Sequence, residues 1–202
     1  MAITKLSGSS LTNITKYDSF LAGNTAYDPG SYYLIERVTV GSGGSSSVSF
    51  TSIPSTYKNL QIRAIVNSTK SGASGADSLE LTMNSDATAI YSAHRLFGDG
   101  SGTTADGFAS LNYSYFGIQP QTTSTVSYYG AAVIDILDYT NTSKYKTIRS
   151  LQGFDANGSG RVGLFSGCWQ STSAISSIQI YSDNRSANFT QYSSFALYGQ
   201  KG

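Results

Sequence analysis

From Tyr33 onward the sequence breaks into short apolar runs, separated by clusters of Gly, Asn, Asp and Ser. The runs recur about every 8–12 residues, the rhythm of an all-β sandwich or barrel. Several alternate with period two, as a half-buried strand must. Leu60, Ile62, Ala64 and Val66 alternate with Gln61, Arg63 and Ile65. Leu79, Leu81 and Met83 repeat the pattern. In Ala89 to Phe97, Ile90, His94 and Leu96 take one side, and Tyr91, Ala93, Arg95 and Phe97 the other. In Val162 to Trp169, Val162, Leu164, Ser166 and Cys168 oppose Phe165 and Trp169. No stretch sustains a 3.6-residue period. About ten strands are expected, folded as an antiparallel, jelly-roll-like β-sandwich.

Individual segments sharpen this. Leu34 to Val40 and Ser47 to Phe50 read as a hairpin around Gly41–Gly44, because glycine supplies positive φ without steric cost. Val126 to Leu137 is the most apolar run and has no clean polar face, so it reads as a central strand covered on both sides. Gly98 to Gly107 reads as a flexible loop, and Ala109 to Ile118 as one aromatic-rich extended segment. Residues 1–31 read differently. Ile3, Leu6, Leu11 and Ile14 are widely spaced among Ser, Thr, Gly and Asn, and Tyr17, Phe20 and Leu21 fall in a segment that reads as one helical turn. Such a composition does not bury enough surface to fold alone. The expectation is an extended anchoring arm over 1–31 and a head domain over 32–202.

Composition narrows the chemistry. Only 12% of residues are charged and the net charge is +1, so no basic patch tracks a phosphate backbone and nucleic acid is not an expected partner. No apolar run reaches the ~20 residues of a membrane helix, and the first residues lack the apolar core of a signal peptide. Synthesis without a cleaved export signal and no membrane partner are therefore expected. The single cysteine, Cys168, excludes an intrachain disulfide. It reads as a buried thiol, and the only histidine, His94, as a satisfied residue on a strand face. No further Cys or His completes a zinc site.

Asp155, Asn157 and Ser159, followed by Gly160, partly match the oxygen ligands of a calcium loop. Ser166 stands where the closing Glu belongs, so a tight turn is the simpler reading. Asp135 and Asp138 are three apart and face opposite ways on a strand, which is poor placement for an acid–base pair. No G-x-S-x-G elbow is present. No cofactor is expected. Tyrosine is abundant, with 15 residues. Rigid rings beside Asn and Ser suit a recognition surface, which makes Tyr113, Tyr115, Phe116, Tyr128 and Tyr129 candidates. Core packing is the competing reading for all five, and the expected role of Trp169.

Three stretches carry a resemblance. Tyr33 to Val40 followed by GSGGSSSVSFTSIPSTYKNLQIR is similar to the opening of a group of tailed-bacteriophage virion proteins. DILDYTNTSKYKTIRSLQG with DANGSGRVGLFSGCWQSTSAISSIQI resembles the middle of that group, and SSFALYGQKG resembles its terminal FALYG-x-KG. The resemblance covers most of residues 33–202 and implies a non-enzymatic component of the virion. That component would be a short tail-fibre or host-adhesion protein, or a capsid decoration protein. A tail-borne polysaccharide-degrading enzyme is a third possibility. Other virion proteins, host surface glycan and two further copies in a homotrimer are the partners it implies.

Overall fold

The computed structural model describes residues 32–71, 75–121, 128–182 and 185–201. The expected arm, with Ile3, Leu6, Leu11, Ile14, Tyr17, Phe20 and Leu21, lies outside them. The described chain folds into twelve strands. They are β1 (Tyr32–Thr39), β2 (Ser47–Phe50), β3 (Asn59–Val66), β4 (Ala76–Met83), β5 (Tyr91–Gly98), β6 (Thr103–Leu111), β7 (Ser114–Pro120), β8 (Gly130–Leu137), β9 (Lys146–Asp155), β10 (Gly160–Trp169), β11 (Ile178–Ser182) and β12 (Ser194–Gln200).

All twelve pair antiparallel in two sheets. The smaller has the order β2-β11-β4-β7, and the larger β1-β12-β3-β8-β9-β10-β5-β6. Removing the β9–β10 hairpin and the two strands outside β3 leaves β3-β8-β5-β6 facing β2-β11-β4-β7. That is the double-sheet arrangement of a jelly roll. The fold is an all-β antiparallel sandwich whose larger sheet has been widened.

The core lies where the inner faces meet. Leu60, Ile62 and Val66 of β3 and Ile134 and Ile136 of β8 pack with Leu79, Leu81 and Met83 of β4, Ile178 and Ile180 of β11, and Phe50 of β2. The terminal FALYG sequence is β12, inserted between β1 and β3. Phe195 and Leu197 enter the core. Gly199 lies under the Tyr57 ring, where an added Cβ would come within 2.3 Å of ring carbons.

A different solution holds β7 against β9 and β10. This part of the inner face is half polar. Gln152 Oε1 accepts the Ile118 N–H at 2.7 Å, and the Ser150 hydroxyl donates to the Phe116 carbonyl. Glycine lets the layers approach closely: a Cβ on Gly167 would lie 2.7 Å from Ser114 Oγ. Side chains of the large sheet therefore bond directly to the backbone of the small one.

Three expectations need correction. Thr103–Gly107 is not loop but the first half of β6, paired with β5 from Gly98↔Thr103 to Tyr91↔Leu111. Its small polar residues resemble a loop because the strand is an edge with little to bury. The single extended segment expected over Ala109–Ile118 is divided between β6 and β7, because the chain crosses from one sheet to the other at Asn112 and Tyr113. Strand β8 is not covered on both sides: Gly130, Ala132, Ile134 and Ile136 are buried, whereas Ala131 and Val133 are exposed.

Candidate functional site

Three features of the surface bear on function. The first is a pocket of about 220 Å³ on the flank, where β5 and β6 overhang β4 and β7; Ser78, Glu80, Leu111, Tyr113 and Tyr115 line it. Its centre is Arg95, which alternation on β5 turns inward. Arg95 Nε and Nη2 both donate to Asp106 Oδ2 at 2.7 Å, and Nη1 donates to the Tyr115 hydroxyl at 2.7 Å. The guanidinium also lies 4.9 Å from the Phe97 ring centroid and 5.3 Å from those of Phe108 and Tyr115. Burial raises the Tyr115 pKa, while the charge and hydrogen bond of Arg95 oppose the shift. Aromatic walls with a few fixed polar groups are the usual lining of a small-molecule pocket.

The second is a cleft of about 320 Å³ at the tip of the sandwich, with Asp99, Gln121, Tyr128, Phe154, Ser159 and Arg161 among its lining. Two turns form its lips. Asp99 accepts from the Ser101 hydroxyl at 2.7 Å and the Ser101 and Gly102 amides at 3.0 and 3.1 Å. These bonds hold its carboxyl below the usual range, with the Ser101 hydroxyl the largest cause. In the other turn Asp155 Oδ1 accepts the Gly158 N–H at 3.2 Å, and Asn157 and Gly158 adopt φ of 60° and 90°. The residues that resemble a calcium loop thus build a turn in which Asp155 binds backbone. Among the described residues no group of three His, Cys, Asp or Glu side chains could hold a metal ion.

The third is the outer face of the larger sheet. Register aligns Val133, Leu151, Leu164, Leu96 and Ala105 in one row across β8, β9, β10, β5 and β6. A neighbouring row aligns Ile65, Ala131, Gly153 and Val162. The large side chains of both rows are 40–60% exposed. Across β10, β5 and β6 the face is dished into a shallow trough of about 550 Å³ whose lining includes Leu96, Ala105, Leu164 and Ser166 together with His94, Arg95 and Asp106. A polar row of Gln61, Asp135 and Arg149 borders the apolar ones, and Arg63 stands opposite Val133 at the β3 end of the first apolar row. Arg149 Nε donates to Asp135 Oδ2 at 3.0 Å, Gln61 Nε2 to Asp135 Oδ1 at 2.8 Å, and Arg63 Nε to Gln61 Oε1 at 2.8 Å.

The five aromatic candidates do not form one surface. Tyr113 and Tyr115 meet at the flank pocket. Phe116 is core, at 2% exposure. Tyr128 and Tyr129 lie beyond the other end of β7, where the Tyr129 hydroxyl donates to the Gln191 carbonyl at 2.6 Å. The rest of β7 after Tyr115, Phe116 to Pro120, separates the groups, a distance of about 17 Å. Trp169 is core, stacked on Tyr91 with centroids 6.3 Å apart. His94 is exposed on the outer face over Gly107. Cys168 is half-buried, and burial raises its thiol pKa, the opposite of nucleophile activation. Asp135 lies in the polar row, and Asp138 pairs with Lys58 and Lys144.

Sequence reasoning missed the exposed rows. The alternation of Val162 and Leu164 was visible, but which side faced out depended on the partner sheet. No helix among the described residues is long and apolar enough to cross a membrane. No family model, curated protein or solved structure matches the chain.

Proposed function

We propose that this chain is a non-enzymatic structural component of a tailed-phage virion, held in the particle through residues 1–31 and displaying the β-sandwich. The reading begins from the resemblance of residues 33–202. The observation that supports it is the exposed apolar outer face, because a contiguous apolar patch of a few hundred Å² is often a functional contact surface. Within the virion, a short tail-fibre or host-adhesion role fits the flank pocket and the tip cleft, both sized and lined for one or two sugar units of a host surface glycan.

A capsid decoration role is the second reading. It is favoured by the absence of any fibrous shaft among the described residues. Imaging particles with this chain labelled tests both. Density on the tail supports adhesion, density on the shell supports decoration, and absence from purified particles overturns the proposal. Removing residues 1–31 is expected to leave a folded head that no longer joins particles. Full occupancy by the shortened protein would overturn the anchoring role. A polysaccharide-degrading role would need two carboxyls flanking the scissile bond. Release of reducing ends from host glycan by the pure protein would establish it.

A further inference from the structure

We infer that the flank pocket takes a single uncharged pyranose unit and turns acidic sugars away, with Arg95, Tyr115 and Glu80 as the residues that read it. The inference rests on the reading of that pocket as a glycan site, and adds the class of sugar and the means of selection.

Size is the first argument. The pocket holds about 220 Å³, below the ~300–1,000 Å³ of a site for a drug-sized molecule. It has room for one six-membered ring, not for a chain lying lengthwise.

Hydrogen-bonding capacity is the second. Asp106 and Tyr115 take up the Nε–H of Arg95, one N–H of Nη2 and one of Nη1. Each terminal nitrogen of a guanidinium carries a second N–H, and among the described residues neither of these meets an acceptor. The Tyr115 oxygen accepts from Arg95, so its own hydrogen is left to donate. Glu80, in the same lining, supplies the acceptor. Its Oε1 takes the Ser78 hydroxyl at 2.6 Å, and a carboxylate oxygen has lone-pair room for a further bond. A sugar hydroxyl both donates and accepts, so it can answer donor and acceptor together.

Charge is the third. Arg95 is already matched by Asp106, and Glu80 adds a carboxylate that is only 3% exposed. An anionic ligand would bring another negative charge beside these two carboxylates, where burial weakens screening. A cationic ligand would meet the guanidinium. Neutral hydroxyls incur neither penalty.

Rigidity is the fourth. The guanidinium is held among the rings of Phe97, Phe108 and Tyr115. The Tyr115 ring is fixed edge-on to Phe108 and Phe165, with centroids 5.8 and 5.3 Å away. Groups ordered beforehand lose little freedom on binding. Phe108 and Leu111 of the lining offer apolar surface to the C–H face of the ring.

Saturation-transfer NMR on the full chain tests this. The neutral probes are the methyl glycosides of glucose, galactose, mannose and N-acetylglucosamine, and the acidic probe is methyl glucuronide. At least one neutral probe should bind in the millimolar range and shift the fluorotyrosine resonance of Tyr115, assigned through Tyr115→Phe. The glucuronide should not bind. Tyr115→Phe and Arg95→Lys should each weaken neutral binding about 5-fold or more, with far-UV circular dichroism confirming that both variants fold. Glu80→Gln keeps the shape, removes the charge and should let the glucuronide in, a gain that a damaged fold cannot mimic. The inference is overturned if no neutral probe binds at tens of millimolar, or if the parent takes the glucuronide equally well. Neutral binding unmoved by Tyr115→Phe overturns it too, because the sugar then sits elsewhere. A glucuronide still excluded by Glu80→Gln overturns the selection by charge. Whether the chain belongs to the particle is decided separately by imaging, so either reading can fail without the other.

Discussion

The indole Nε1 of Trp169 donates to Asp86 Oδ2 at 3.0 Å, tying the end of β10 to the loop between β4 and β5. Asp86 also accepts the Thr88 N–H at 3.0 Å and the Thr88 hydroxyl at 2.5 Å through its other oxygen. The Asp86 main-chain carbonyl accepts from the Tyr91 hydroxyl at 2.9 Å, beneath the stacked Trp169 ring. One carboxylate thus orders a loop and satisfies the polar edge of the largest buried side chain. Asp86→Ala should cost about 1–3 kcal/mol, the range for stranding a buried donor. Urea unfolding followed by fluorescence of Trp169, the sole tryptophan, measures it. An unchanged midpoint would remove Asp86 from the account of the core.

The same fluorescence should report acid sensitivity. Lys144 and Lys58 together lower the Asp138 pKa to about 2. For Asp86, burial is the largest single influence and raises the pKa, but the bonds from Thr88 and Trp169 together outweigh it and the net shift is downward. Both folded-state values lie below the ordinary carboxylate value of 3.8. Their stabilisation is therefore complete above about pH 5 and is lost as pH falls through 3.8 toward 2. The urea midpoint should decline over that window. In Asp138→Asn the decline should be shallower and the midpoint at neutral pH lower.

At the alkaline end, burial raises the Tyr91 pKa to about 12. A phenol that ionises later in the fold than in the open chain stabilises the fold below pH 10 and ceases to do so between 10 and 12. Spectrophotometric titration should show a phenol still ionising near pH 12. Tyr91→Phe should abolish that late step.

Lys146 has no exposed surface. Its ammonium donates to the carbonyls of Asn141, Lys144 and Thr172 at 2.5, 3.1 and 3.1 Å. One cation therefore closes the β8–β9 loop onto the segment after β10. Lys146→Met keeps the apolar stem and strands the carbonyls, at an expected cost of about 2–3 kcal/mol. Thermal unfolding provides the readout. A neutral result would mean that water replaces the ammonium there.

Gly199 and Tyr57 make a steric prediction. With ring carbons 2.3 Å from where a Cβ would stand, Gly199→Ala must expel the Tyr57 ring and its stacking on Tyr33, whose centroid is 5.9 Å away. A loss of about 2 kcal/mol is expected by denaturant titration. Pairing it with Tyr57→Ala in a double-mutant cycle should show that the two losses do not add.

The sequence by itself determined the strand content, because period-two alternation and turn residues are local properties of the backbone and its side chains. The alternation in β3 and β10, the core role of Trp169 and the turn at Asp155–Gly160 were all legible there. Tertiary structure alone decided three other matters. Edge strand β6 pairs through backbone groups, which are the same in every sequence, so its small polar residues gave no sign of it. Tyr113 and Tyr115 lie apart from Tyr128 and Tyr129 because β7 runs the length of the small sheet between them. Above all, Val133, Leu151, Leu164 and Leu96 are separate in the chain and become one surface only through register. An apolar residue carries no mark of whether its cover is its own second sheet or another molecule. That distinction depends on how many strands each sheet holds, here eight against four.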